Sequence, residues 1–163
     1  MAIKSMSMVM KRSRAFLLAA LLSGAMVAAP AFAQSAGNGF VMVKSAHGYA
    51  ATLNSLQRAI KSNGLMVMGK VNQKAILSMT GLNLEGGESF LVGNPRMGKK
   101  LFSMNPAVAA VIPSRISVWA EHGTTYVGYF NPSALLGQIS PQLAKPGAML
   151  DMKFHKIVSE ATK

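Results

Sequence analysis

The sequence lacks cysteine altogether and holds only 5 acidic residues against 17 lysines and arginines. Without thiols the chain forms no disulfide, and thiolate redox or thiolate-metal chemistry is excluded. The formal net charge is +12 at pH 7. A basic surface of this kind favours anionic partners such as lipid headgroups, lipopolysaccharide or acidic polymers, although basic residues also serve solubility alone.

The first 33 residues have the pattern of a cleavable Sec-type signal peptide. Basic residues between Lys4 and Arg14 precede an uncharged apolar run, residues 15–29. Ala31-Phe32-Ala33 then fits the small-x-small rule for cleavage before Gln34. We therefore expect a periplasmic or secreted protein with no stable membrane span after cleavage. The alternative is an uncleaved anchor, but the apolar run is short for a spanning helix.

The remainder of the chain is expected to form one domain. Residues 34–38 form a lead-in that we expect to be mobile, and residues 39–163 are about the length that builds a single core. This part carries 13 basic and 5 acidic residues, a net charge of 13 − 5 = +8. Its basic residues are scattered, with Lys99-Lys100 the only adjacent pair, so the sequence predicts no nucleic-acid partner.

Hydrophobic periodicity predicts a mixture of strands and helices. Tyr49, Leu53, Leu56 and Ile60 form a helical stripe that ends at Asn63-Gly64. His122-Gly123 is a good hairpin turn between two predicted strands. Strands are predicted at 40–43, 65–71, 89–92, 107–112, 115–121 and 124–130, and helices at 72–79 and 148–161, with 85–88 a loop and 133–146 irregular or weakly helical.

This order of elements predicts an α+β fold, in which a single, mostly antiparallel sheet of about five to six strands carries helices on one face.

The stretch from Gly93 to Lys100 has the spacing of a phosphate-binding loop, but its chemistry argues against that function. Lys100 stands where a magnesium-binding hydroxyl is needed, and Pro95 removes a backbone donor. A helix start explains the stretch better, with Asn94 as N-cap and Pro95 at the first helical position. Met97, Leu101 and Met104 would then face the core, and Gly98 would mark a close backbone approach.

The same region resembles a bacterial family, domain of unknown function 302. The residues that carry the resemblance are Phe90 to Pro95, Gly98, Leu101, Met104, Pro106, Ile112-Pro113, Arg115 to Val118, Gly128-Tyr129 and Asn131-Pro132, with Thr52, Leu56, Ala59, Ile60, Gly64-Leu65, Ala75 and Gly81-Leu82 before them. The resemblance implies a compact α+β domain and suggests a dimer, with no activity established for the family as a whole. Family members often carry His where Gln73 stands, and an acidic residue and Leu where Val111 and Ile112 stand.

Two groups of residues are candidates for binding. The helix start places Asn94, Arg96, Lys99 and Lys100 where they would hold a carboxylate or phosphate. A second group points away from the predicted core and is expected to line a ligand groove or a homodimer interface. It comprises Ser117, Trp119, Met149, Met152 and His155.

No catalytic residue and no cofactor are predicted. Our leading interpretation is an exported, non-catalytic domain that binds a small apolar or anionic ligand, a lipid or a protein partner. One alternative is a small enzyme, in which Asp151 and His155, four residues apart on a helix, would orient a serine. The other is copper binding by thioethers, with Met42, Met66 and Met68 as candidates beside the set Met149, Met152 and His155.

Overall fold

The computed structural model describes residues 34–35 and 37–163, and the predicted signal peptide lies outside the described residues. The strands are β1 (Gln34–Ser35), β2 (Phe40–Lys44), β3 (Met66–Val71), β4 (Gly86–Gly93), β5 (Ser114–Glu121) and β6 (Thr124–Phe130). The α-helices are α1 (Tyr49–Ser62), α2 (Gln73–Ser78), α3 (Pro95–Met104), α4 (Pro132–Ile139) and α5 (Ala144–Thr162). Short 3-10 helices occupy Pro106–Ala110 and Pro141–Leu143.

The strands form one open sheet in the order β1-β2-β6-β5-β4-β3, and every neighbouring pair is antiparallel. This confirms the predicted α+β class. In the lead-in, Gln34 pairs with Met42 and Ser35 with Val41, so β1 adds a short edge to the sheet. None of the helices in the described part of the chain is long and apolar enough to span a bilayer.

One face of the sheet packs against α1 and α5 and forms the main core. Phe90, Ile116 and Val127 contribute from the strands, and Leu56 and Phe154 from the two helices. All of these side chains are fully buried. The predicted stripe of α1 is confirmed, because its apolar face meets the sheet. The short α2 lies against the other face, where a Cβ at Gly87 would meet Gln73.

A second core lies beside the sheet, where α3, α4 and α5 meet. Leu101, Leu136 and Leu150 are buried together there, with Val108 and Leu143 from the two 3-10 helices. This cluster explains a wrong prediction. Residues 107–112 do not form a strand, since Asn105 accepts from Ala107 N at 2.9 Å and starts the first 3-10 helix, which buries Val108.

The remaining corrections concern element ends. Residues 86–88 belong to β4, because they pair with Val118, Trp119 and Ala120 of β5 and are not a loop. Residues 133–146 are largely helical, so α5 begins four residues before the predicted start. The hairpin turn is confirmed. His122 and Gly123 both have positive φ, and the Glu85 carboxylate accepts from their amides at 3.0 and 2.9 Å.

Candidate functional site

A groove of about 560 Å³ lies between α3 and α5, and we call it the basic groove. The turn between α1 and β3 contributes Gly64 and Leu65 to it. The other lining residues are Asn94, Arg96, Met97, Lys100, Leu101 and Met104 around α3, and Gln142, Lys145, Pro146, Met149 and Lys153 around α5. Its position follows from the second core, which holds the two helices side by side.

Asn94 starts α3 and connects it to the turn between α1 and β3. Its Oδ1 accepts from the backbone N of Arg96 at 2.9 Å and of Met97 at 3.2 Å. Its Nδ2 donates to the carbonyl of Gly64 at 2.9 Å. The helix start is thus confirmed, with Pro95 at its first position. Because Asn94 accepts from these amides, they are not free to bind an anion. The candidate groups for anion binding are therefore the charged side chains of the groove.

Apolar side chains form the inner part of the basic groove. Leu65 and Leu101 are buried, and Met97 packs against the second core. Met104 was predicted to face the core, but it is 47% exposed and lines the groove instead. Met149, on the opposite side, is 50% exposed. Unbranched thioether side chains of this kind adapt to ligands of different shape.

Four cationic side chains surround these apolar residues. Arg96 and Lys100 come from α3, and Lys145 and Lys153 from α5. No Asp or Glu is among the described residues that line the groove. Lys153 Nζ donates to the carbonyl of Asn63 at 3.2 Å, which does not neutralise its charge. The groove therefore combines an apolar interior with a positively charged edge.

The structure brings together only part of the predicted binding residues. Asn94, Arg96, Lys100 and Met149 share the basic groove, whereas Lys99 is exposed beside it and does not line it. Met152 and His155 are also exposed on α5, outside the groove. The contributions of Lys145 and Lys153 were missed. The two lysines flank Met149 at i−4 and i+4, a spacing that would have placed them on the same side of the helix.

Ser117 lies on the other face of the sheet, within a chain of polar side chains. Gln73 Nε2 donates to Ser89 Oγ at 2.5 Å, and Ser89 Oγ lies 2.8 Å from Ser117 Oγ. Ser89 is fully buried, and Gln73 Oε1 is buried without a hydrogen-bond partner among the described residues. Ser117 is therefore a partner of Ser89 beneath α2, and Gln73, where family members often carry His, is the third member of this chain.

Trp119 belongs to an aromatic patch on that same face. Its ring stacks on Tyr126 with centroids 5.7 Å apart, and it crosses Gly128, where a Cβ would lie 2.8 Å from the indole. Phe40 and Phe130 adjoin it, with centroids 5.2 Å apart. Trp119 and the basic groove thus belong to different surfaces. The homodimer expected from this part of the chain stays a prediction.

The methionines proposed for copper do not converge. Met66 and Met68 are exposed on the edge strand β3, but Met42 lies on β2, which β6, β5 and β4 separate from β3. The expected neighbourhood of Met42 with the other two is therefore wrong. Met97, Met104 and Met149 do line one groove. The four cations around them make that groove unfavourable for a cuprous ion.

Asp151 has a partner other than the predicted His155. It accepts from Ser133 N at 2.9 Å and from Ser133 Oγ. These bonds close the start of α4, whose own N-cap residue, Asn131, provides no side-chain cap. Asp151 thus serves as an N-cap supplied by another helix. The enzyme alternative places the His155 imidazole between this carboxylate and a serine, but His155 is exposed.

The sheet order and the helix positions define an α+β domain. The chain matches the family described as domain of unknown function DUF302 over residues 41–160, and it belongs to that family. The crystal structure of an uncharacterized conserved DUF302 protein from Bacillus stearothermophilus has the same fold, with a TM-score of 0.71 and 22% identity. The match covers 77% of this chain and 98% of that protein. The family resemblance noted in the sequence is thereby confirmed.

Proteins named as fluoride-specific ion channels also match part of the chain. FluC 1 of Brucella suis biovar 1 and FluC 1 of Brucella abortus biovar 1 are each 29% identical over 92 residues. The matched region is 56% of this chain, but 36% of the first relative and 34% of the second. The chain thus spans about a third of the length of these curated relatives.

Proposed function

We propose that the protein is an exported, non-catalytic binding protein that holds an anionic amphiphile in the basic groove. The ligand class is a long acyl chain that ends in a carboxylate or a phosphate. One observation carries the proposal: four cationic side chains surround an apolar groove, and no acidic residue lines it within the described part of the chain.

Size and polarity both support this ligand class. A volume of about 560 Å³ lies within the range of about 300–1,000 Å³ that is usual for small-molecule sites. Burial of each methylene contributes about 0.8 kcal/mol, so an acyl chain gains most of its affinity from the apolar side chains. A charged hydrogen bond adds orientation, and lysine and arginine are the natural donors to carboxylate and phosphate.

A titration with a dansyl-labelled long-chain carboxylate tests the proposal. We expect saturable binding with dansyl fluorescence enhancement, competition by unlabelled oleate, and at least tenfold weaker competition by the alcohol of the same chain length. Equal competition by acid and alcohol would show that the cations play no part. Absence of saturable binding would refute the proposed ligand class.

Two substitutions on α5 form a matched pair for this titration. Met149→Asp places a carboxylate in the groove and should weaken binding of the labelled acid at least tenfold, because it adds charge repulsion to lost apolar contact. Met152→Asp makes the same change three residues away, outside the groove, and should leave affinity unchanged. If both variants bind alike, the ligand does not occupy the basic groove.

A further inference from the structure

We infer that the face of the protein that carries the basic groove docks on an anionic lipid bilayer. The purpose of this docking rests on the proposed function: a protein that holds an amphiphile in a groove would take it from a membrane or deliver it to one. The surface itself extends beyond the groove, and its properties are separate observations.

The charges on this face are uneven. Helices α3 and α5 carry six basic residues. Arg96, Lys100, Lys145 and Lys153 line the groove, and Lys99 and Lys156 are exposed outside it. Helix α3 has no acidic residue. Both acidic residues of α5 have partners, since Asp151 accepts from Ser133, and Glu160 accepts from Asn63 at 2.8 Å and lies 3.8 Å from Lys156. The face therefore presents cations in excess.

Exposed apolar side chains share rows with these cations on both helices. On α5, Lys145, Met149, Met152 and Lys156 are spaced at i, i+4, i+7 and i+11, and all four are exposed. Met152 is 68% exposed, the most exposed methionine of the helix. On α3, Arg96, Lys100 and Met104 are spaced at i, i+4 and i+8, and all three are exposed. Each row thus offers apolar atoms and positive charge to the same partner.

A bilayer with anionic headgroups complements both properties at once. Its phosphates attract lysine and arginine with about 1 kcal/mol for each residue near the surface. Its acyl boundary takes up apolar side chains of docked helices to a depth of about 5–10 Å. An acidic polymer or a nucleic acid offers the charge but no apolar layer for Met149 and Met152. The arrangement therefore favours a lipid surface.

Co-sedimentation of the full chain with lipid vesicles tests the inference. We expect at least tenfold stronger retention on phosphatidylcholine vesicles that contain phosphatidylglycerol than on phosphatidylcholine alone, and weaker retention as salt is raised. The double variant Lys99→Glu/Lys156→Glu should lose at least tenfold in affinity for the anionic vesicles. The control Lys44→Glu/Arg115→Glu carries the same charge change on two strands, on the sheet face away from α5, and should bind like the wild type.

Two measurements on the same variants separate docking from ligand binding. Neither Lys99 nor Lys156 lines the groove, so the double variant should keep the wild-type affinity for the dansyl-labelled carboxylate in solution. Vesicle retention that is equal in the wild type, the double variant and the control overturns the docking, whatever the ligand titration gives. Loss of retention in the double variant alone supports docking even if the ligand titration fails. Met149→Ser/Met152→Ser should also weaken retention, and an unchanged result would refute the apolar contribution.

Discussion

Asn94, the N-cap residue of α3, and Lys153 of α5 donate hydrogen bonds to adjacent carbonyls of one turn. Asn94 Nδ2 binds the carbonyl of Gly64 at 2.9 Å, and Lys153 Nζ binds that of Asn63 at 3.2 Å. The turn needs Gly64 because its φ is +72°. The two bonds fix α3 and α5 to the same point, so the spacing of the two sides of the basic groove depends on a turn that precedes both helices in the chain.

Removal of the Asn94 side chain should therefore destabilise the domain more than loss of an ordinary helix cap. We expect Asn94→Ala to lower the free energy of unfolding by about 2 kcal/mol, the upper end for N-caps, because the bond to Gly64 is lost too. Asn72→Ala, which removes the cap of α2, should cost about 1 kcal/mol. Urea denaturation measures both. Equal losses would mean that the bond to Gly64 contributes nothing.

Two glycines in helices should respond to alanine in opposite directions. A Cβ at Gly147 would lie 2.5 Å from Ser133 Cα, so Gly147→Ala has to push α4 and α5 apart, at a cost of about 1–3 kcal/mol. Nothing lies within 4 Å of a Cβ at Gly98. Gly98→Ala should stabilise α3 by up to about 1 kcal/mol. Thermal melting compares the two, and a stabilised Gly147→Ala would contradict the close helix contact.

The result at Gly98 shows where local patterns mislead. The sequence predicted a close backbone approach at this glycine, but the Cβ position is open, and the close approach lies at Gly147. Spacing along one helix does not reveal which other helix crosses it. The α3 start, by contrast, was predictable because Asn94 and Pro95 act within a few residues of themselves.

The same distinction separates the predictable part of the basic groove from the rest. Arg96 and Lys100 were identified because they follow a recognisable helix start. Lys145 and Lys153 enter the groove only because Leu101 and Leu150 pack together in the second core, a contact between distant parts of the chain. The predicted neighbourhood of Met42 was wrong for a related reason. The alternation of apolar residues along a strand indicates which face each side chain occupies, but not which strands are neighbours in the sheet.

Gly128 should be intolerant of any side chain because Trp119 lies across it. A Cβ would come within 2.8 Å of the indole, so Gly128→Ala should displace the ring from Tyr126 and destabilise the fold by about 1–3 kcal/mol. Trp119 is the single tryptophan of the chain, and its emission should shift to longer wavelength in the variant as water reaches the ring. An unshifted spectrum with unchanged stability would contradict the stacked arrangement.

The buried phenol of Tyr129 should make the protein less stable at alkaline pH. Burial of the phenol, with a smaller contribution from the Asp151 charge, raises its pKa to about 12 from the usual 10.0. Between these values the unfolded state has lost the proton and the folded state retains it. The free energy of unfolding therefore falls as pH rises, by about 1.4 kcal/mol per pH unit and about 2–3 kcal/mol in total.

Tyr129→Phe isolates this effect from the titration of lysines, which occurs in both proteins. The variant lacks the ionisable group, so its stability should fall less steeply between about pH 10 and pH 12 than that of the wild type. Urea denaturation across this range measures the difference, and difference absorbance of the phenolate measures the pKa directly. Parallel stability curves would show that Tyr129 ionises in the folded protein as readily as in the unfolded one. In a separate measurement, Asp151→Asn should lower the pKa of Tyr129 only slightly, since burial is the larger cause.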